Sequence, residues 1–187
     1  MNRESFKGAG DDILVRSALN GNKDAFGEIV TRYRKMVSRT VKGMLGDSVF
    51  ADDIGQEVFI KLYNSLSEFR GEAKLSTYIQ KIAVNLTLNE IKKRKRFFSM
   101  FLQKDNDELH QFDIPDNGDE KRNDARDLVN KALMSLDPRF RIIVTMRMLQ
   151  GYSTKETAEI LGLPLGTVLS RLSRAQEQLK ETLKKKW

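Results

Sequence analysis

STKETAEILGLPLGTVLSRLSRA, Ser153 to Ala175, decides the fold: it reads as a helix, a tight turn and a second helix. Ser153 and Glu156 stand in S-x-x-E spacing, a capping box in which a hydroxyl and a carboxylate satisfy free N–H groups at a helix start. Ala158 is small where two helices should cross closely, and Ile160 and Leu161 supply a buried stripe. Gly162 can take the left-handed conformation that ends a helix, and Pro164 suits the opening of the next. Val168 and Leu172, four apart, face inward and leave Leu165, Ser170, Arg171, Ser173 and Arg174 to other faces. Arg171 and Arg174, three apart, share a face and offer forked donors of the kind that read guanine edges in a major groove. The pattern is that of a helix-turn-helix DNA reader. The alternative is a plain helical hairpin inside a core.

The rest of the chain sets the frame for that motif. With 187 residues, one or two domains are expected. Three prolines, few aromatics and many Leu, Lys, Glu and Arg favour an all-helical protein. No cysteine is present, which excludes a disulfide framework and a thiolate metal site. No apolar run approaches the roughly 20 residues that cross a bilayer. The start, MNRESFKGAGDD, has no signal-peptide core, so the cytoplasm is the expected location. The formal charge of +7 is unevenly spread. Residues 1–96 hold 18 Lys/Arg and 12 Asp/Glu, residues 97–123 hold 3 and 7, and residues 124–187 hold 12 and 7, giving +6, −4 and +5. Two basic blocks around an acidic middle suit two polyanion-binding modules on a tether.

Helical periodicity fills the first block. Ile13, Leu14, Ala18 and Leu19 make a short stripe before the break Asn20-Gly21-Asn22. Ala25, Phe26, Ile29, Val30, Tyr33, Val37, Val41 and Met44 continue at three- and four-residue steps, a long amphipathic helix that Gly46-Asp47 ends. Phe50, Ile54, Val58, Phe59 and Leu62 mark a third helix, and Ile79 to Ile91 a fourth that runs into KKRKR at Lys92 to Arg96. From Phe97 to Asn123 the periodicity fades and Asp, Asn, Gly and Pro accumulate, as in a linker; FFSMFL at its start is apolar enough to pack on a domain or partner. Helices resume with Leu128 to Leu136, and Asp137-Pro138 starts another that extends to Leu149.

Two segments of the first block carry chemistry beyond packing. ADDIGQEVFIKLYNSL (Ala51–Leu66) places Asp53, Gln56 and Glu57 on one exposed face with Asp52 beside it; taken alone, this is as readily a solvated charged face. The acids lack a nearby His or Cys and a second acidic cluster, so they fit a metal poorly. FRGEAKLSTYIQKIAVNLTLNEIKKRKR (Phe69–Arg96) sets Phe69, Arg70 and Lys74 on a loop before a helix with Tyr78, Lys81, Asn85 and Asn89. Lys81, Asn85 and Asn89 are four apart and line one face. Aromatic, amide and cationic side chains together suit unstacked bases and a phosphate backbone, although an ordinary amphipathic helix would show the same spacing.

In this order, DAFGEIVTRY, DDIGQEVF, FRGEAKLSTYIQKIAVNL and LGLPLGTVLSRLSRA make the chain, from about residue 11 to 182, resemble the extracytoplasmic-function group of the sigma-70 family, bacterial RNA polymerase initiation factors. The resemblance implies two all-α domains: a sigma-2 helical bundle within residues 1–96 and a sigma-4 helix-turn-helix domain within 124–187, joined by a flexible acidic linker, 97–123. It implies core RNA polymerase as partner, gripped through the clamp helices of the largest subunit by Asp52, Asp53, Gln56 and Glu57, with a second contact at the flap. It implies promoter DNA as the other partner. The FRGEAKLS loop (Phe69, Arg70, Lys74) would capture a flipped −10 base, with Tyr78, Lys81, Asn85, Asn89 and Lys92 along the same strand. Thr167, Ser170, Arg171, Ser173 and Arg174 would read the −35 duplex. An anti-sigma protein is a further partner that many relatives have. A monomer without cofactor, metal or catalytic residues is expected. The linker must span elements about 20 base pairs apart, roughly 70 Å; some 27 extended residues reach about 90 Å.

Departures from the family pattern fall on DNA-facing positions. Tyr78 stands where Trp is frequent, Leu169 where Lys or Arg is common, Ser173 where His or Phe is, and Gln176 where Arg is. They leave the preferred −35 sequence open. The single histidine, His110, falls in the linker as a bystander, and no phosphate-binding glycine loop or nucleophile elbow occurs. Two other readings compete. A stand-alone operator-binding regulator accounts for residues 124–187 but gives DDIGQEVF and FRGEAKLST no work, and a helical adaptor with no DNA role requires Arg171 and Arg174 to be dispensable.

Overall fold

The computed structural model describes residues 6–102 and 124–184, and every regular element among them is helical. The first lobe holds α1 (Asp11–Leu19), α2 (Lys23–Leu45), α3 (Val49–Ser65), a 3₁₀ turn (Leu66–Glu68) and α4 (Leu75–Leu102). The second holds α5 (Asp124–Ser135), α6 (Pro138–Val144), a π-helical turn (Thr145–Leu149), α7 (Thr154–Leu161) and α8 (Leu165–Lys184). The all-α, two-lobe expectation is met.

Sequence cues set the helix starts. The Asn22 side chain accepts from the backbone N–H groups of Asp24 (3.0 Å) and Ala25 (3.2 Å), so the Asn-Gly-Asn break also caps α2. Asp137 accepts from Arg139 N–H (2.9 Å) ahead of Pro138, which opens α6. The inward faces of α1 to α4 meet in one apolar cluster that includes Leu14, Ile29, Val41, Val58, Leu62 and Ile79. α1 is tied to α2 at Asp11, which accepts from Arg32 (2.8 Å) and from the Tyr33 hydroxyl. Burial, and then that carboxylate, push the Tyr33 phenol well above its ordinary range.

Two local features differ from the sequence reading. α4 does not stop at Arg96 but continues through FFSMFL to Leu102. The stretch is apolar and contains no Gly or Pro, so nothing in it breaks the helix. Residues 103–123, with His110 and most of the expected linker, lie outside the described residues. The helix expected from Pro138 to Leu149 is α-helical only to Val144, then widens by one residue per turn; Gln150 N–H bonds to the Thr145 carbonyl (3.1 Å).

The larger difference lies between the lobes. They pack directly on one another, with α2 and α4 against α6, the π turn and α7. Met44 and Val84 of the first lobe share a cluster with Ile142, Ile143, Met146 and Ile160 of the second. Arg141 is buried there: one Nη donates to the Met44 carbonyl across the interface (2.7 Å), and the other to Leu136 (2.8 Å) and Met134 carbonyls within its own lobe. Burial pulls its pKa down to about 10, which leaves it charged at neutral pH. Beside it, Gln80 (2.6 Å) and Gln150 (2.8 Å) both donate to the buried Thr40 hydroxyl oxygen. The lobes approach most closely at Gly43, where an added Cβ would sit 2.6 Å from the Thr145 methyl.

That close approach sets a sign. Gly→Ala in a helix interior normally gains about 1 kcal/mol. Gly55→Ala in α3, where a Cβ meets nothing within 4 Å, should show that gain in a urea titration. Gly43→Ala should instead lose about 1 kcal/mol or more, because the stiff, buried Thr145 cannot yield, and Thr145→Ser should restore part of the loss. A stabilised Gly43→Ala protein would show that the lobes do not meet there in solution.

Candidate nucleic-acid interface

α7 and α8 form the helix-turn-helix. Ser153 N–H donates to Glu156 Oε2 (2.8 Å) and Glu156 N–H donates to Ser153 Oγ (3.2 Å), so the capping box is closed in both directions. The Ser153 hydroxyl, which donates to Glu156 Oε2 (2.7 Å), and then the Ser153 N–H hold the Glu156 carboxyl below the usual carboxylate range. Gly162 ends α7 at φ 62°, where a β-carbon would be strained, and its N–H and that of Leu163 return to the Glu159 and Ala158 carbonyls. Pro164 stands just before α8 and its carbonyl accepts from Thr167 and Val168. Thr157, fully buried, fills the inner side of α7 more completely than Ala158.

On α8, Val168 and Ala175 are buried and Leu172 half-buried, which fixes the opposite face as outward. Ser170, Ser173 and Arg174 are exposed there, while Thr167 and Arg171 are half-buried on one flank. The two arginines are therefore not equivalent: Arg174 points away from the lobe and Arg171 lies along it. Leu165 and Leu169 are exposed on the other flank, and no lobe-to-lobe contact covers them.

The FRGEAKLS loop is built around an aromatic pair. The Phe69 and Tyr78 rings lie 5.3 Å apart, both half-buried on the first-lobe core, and the Tyr78 hydroxyl donates to the Ser65 carbonyl (3.1 Å). These two residues fix the loop's shape. Gly71, at φ 75°, turns the chain between them, and Arg70 and Lys74 are left exposed. Along α4, Asn85, Asn89 and Lys92 are exposed on one strip and Lys81 is half-buried at its start. Asn89, Lys92, Lys93, Arg96 and Phe97 line a shallow cleft at the strip's far end. The arrangement can hold a strand by its backbone while amides meet base edges.

On α3, Asp52, Asp53, Gln56 and Glu57 all face outward, opposite Ala51, Ile54, Val58 and Leu62. Asp52 is partly neutralised by Lys42 (3.4 Å). Sequence reasoning missed the apolar half of this face: Val49 and Ile60 stand on the same stripe and are more than 60% exposed. Their spacing of four before Asp53 and four after Gln56 was the available signal, hidden because both are good core residues. A second omission is an apolar groove between the π turn and the end of α8, lined by Met148, Leu179 and Leu183.

Comparison with known proteins identifies this architecture. The model of sigma-70 region 2 matches residues 29–97, and that of sigma-70 region 4 matches residues 126–179. The ECF RNA polymerase sigma-E factor of Escherichia coli K12 is 32% identical over 181 residues, covering 90% of this chain and 92% of its own. The chain belongs to the ECF sigma factors of the sigma-70 family. The ECF sigma factor SigW of Bacillus subtilis is 28% identical over 178 residues, 91% of this chain and 95% of its own. Among solved structures, CnrH in complex with the cytosolic domain of CnrY superposes with a TM-score of 0.68 at 24% identity, covering 93% of this chain and 97% of that one. RpoE of Bartonella quintana, in complex with the anti-sigma factor NepR, gives 0.67 at 23%, over 85% and 96%. As a sigma factor the chain serves promoter-specific transcription initiation with RNA polymerase. Among the described residues no group of His, Cys, Asp or Glu could hold a metal ion, and no helix is long and apolar enough to cross a membrane.

The capping box carries a pH signature. Because the folded Glu156 pKa is lowered, its contribution is complete above the ordinary carboxylate value and is lost as pH falls through the lowered one. Amide protection at Ser153 and Glu156, relative to the unstructured exchange rate at the same pH, should fall across that acidic window. Ser153→Ala removes the hydroxyl bonds but keeps the backbone one, so it should weaken the dependence and cost about 1 kcal/mol at neutral pH; protection that ignores both acid and the substitution would mean α7 is held by packing alone.

Proposed function

We propose that this sigma factor, monomeric, cytoplasmic and without catalytic activity of its own, binds core RNA polymerase and reads a −35 duplex and a melted −10 strand. The observation that carries this reading is the division of labour over three separate outward faces. α3 presents the Asp52, Asp53 and Glu57 carboxylates between exposed Val49 and Ile60, a charged centre with an apolar residue at either end, which fits a basic helical partner such as the polymerase clamp helices. α4 presents amides and cations to a single strand, with Phe69 and Tyr78 holding the loop and Arg70, Lys74, Asn85, Asn89 and Lys92 touching DNA. α8 presents Ser170, Ser173 and Arg174 to a major groove, with Thr167 and Arg171 at its edge. Flipping a base costs a few kcal/mol, which contacts to polymerase and backbone must offset.

The groove of Met148, Leu179 and Leu183 gives the flap an apolar seat. An anti-sigma protein would act by covering that groove or the α3 stripe. Because α4 and α7 are in contact here, while the two promoter elements lie roughly 70 Å apart, the lobes must part when both elements are read.

Transcription with purified core polymerase on genomic fragments, followed by mapping of starts, tests the reading. New starts that share upstream −35 and −10 elements are expected. Stable binding of the protein alone to duplex DNA, with no new starts, would favour an operator-binding regulator. Asn85→Ala should reduce open-complex formation at least tenfold while core affinity stays within about twofold; equal loss of both would remove Asn85 from the strand. Glu57→Lys should weaken capture of core polymerase through like-charge repulsion, and undiminished capture would remove α3 from that contact.

A further inference from the structure

Leu165 and Leu169 expose 50% and 52% of their surface on the opening turns of α8, although the same helix buries Val168 and packs Leu172 and Leu179 inward. The fold has no use for apolar side chains at these two places. They stand four apart, so they form one patch on the helix surface. Between this patch and Arg174 lie only small residues, Gly166, Ser170 and Ser173, all exposed. Gly166 is as informative as the leucines. A Cβ there would meet nothing within 4 Å, and its φ is not positive, so neither packing nor backbone conformation asks for glycine. In a helix it costs about 1 kcal/mol against alanine. Its smallness leaves the outward face open beside the two leucines.

We propose that Leu165 and Leu169 are specificity-determining residues that contact the C5-methyl groups of thymines on neighbouring base pairs of the −35 duplex. The proposal rests on the α8 reading given above. The thymine methyl is the one apolar group on the major-groove edge of B-DNA, and apolar side chains recognise it by excluding water from it. Arg174 stands on the far side of the outward face, where its cation keeps the phosphate backbone close, and the small residues between let base edges approach the helix. The reading face is thus split into an apolar edge for thymine and a cationic edge for phosphate or guanine.

Thymine and deoxyuridine differ by that methyl alone. Promoter fragments obtained from mapped starts are therefore remade with each −35 thymine, on either strand, replaced singly by deoxyuridine. Binding to holoenzyme is measured for the natural protein and for Leu169→Ala, an exposed change that a helix tolerates well. One or two positions should lose about fourfold in affinity with the natural protein, the weight of one buried carbon. Leu169→Ala should bind thymine and deoxyuridine fragments equally at one of those positions, the one that Leu169 contacts. The proposal is overturned if no deoxyuridine weakens binding, if Leu169→Ala keeps the full discrimination, or if the element holds no thymine. A base-pair inversion scan separates the two levels: inversions that weaken binding while deoxyuridine does not leave the −35 reading standing without the leucine contact. Inversions without effect remove both, and a partner protein seated on the leucines then becomes the remaining account of their exposure.

Discussion

A single guanidinium, buried where the lobes meet, organises this molecule. Arg141 donates to carbonyls of both lobes, and in the same seam the Thr40 hydroxyl accepts from both Gln80 and Gln150. Arg141 Nε and Gln80 Oε1 are buried without a partner, but the hydrogen bonds that do form favour one relative placement of α2 and α6. Gly43 adds a steric condition to the polar one: the backbone of α2 must come close enough for Thr145 to reach its carbonyl (3.3 Å). The apolar cluster around Met44, Ile143 and Met146 supplies the attraction, and the polar pairs supply the register.

That construction matters because the same helices carry the working faces. The inner side of α4 packs on α7 while its outer side keeps Asn85 and Asn89 exposed. α7 begins near the loop that ends at Lys74, whose charge helps to lower the Glu156 carboxyl. Under the function proposed above, this contact is released for the lobes to span two promoter elements. Water can replace hydrogen bonds to Thr40, Gln80 and Gln150 more easily than it can replace a dry core, so an interface rich in such groups suits a contact that is made and broken.

Much of this was legible in the sequence. Periodicity located the helices, and Ser153, Glu156 and Gly162 announced the turn that the structure closes in the expected way. The outward carboxylates of α3 and the Asn85–Asn89 strip also followed from spacing alone. Other features did not, and the reasons are physical. Arg141 and Thr145 look like ordinary members of an amphipathic helix, because a buried arginine is recognised only by the carbonyls brought to it in three dimensions. Gly43 reads as a weak helix position until its neighbour across the interface is known. The contacts of Tyr78 with the Phe69 ring and the Ser65 carbonyl join residues 9 and 13 apart across a loop, which periodicity does not register. Val49 and Ile60 match core patterning in composition, and only exposure separates them from it.

The absence of cysteine makes the central claim directly measurable, since two introduced thiols are the only labelling sites. Fluorophores at Asn20→Cys, at the end of α1, and Glu177→Cys, on α8, are both exposed and stand on different lobes. Energy transfer between them should be high and uniform in the free protein and should fall sharply when core polymerase and promoter DNA are added together. Transfer that stays unchanged in an initiating complex would contradict the account, because lobes held at the Arg141 contact cannot reach both elements.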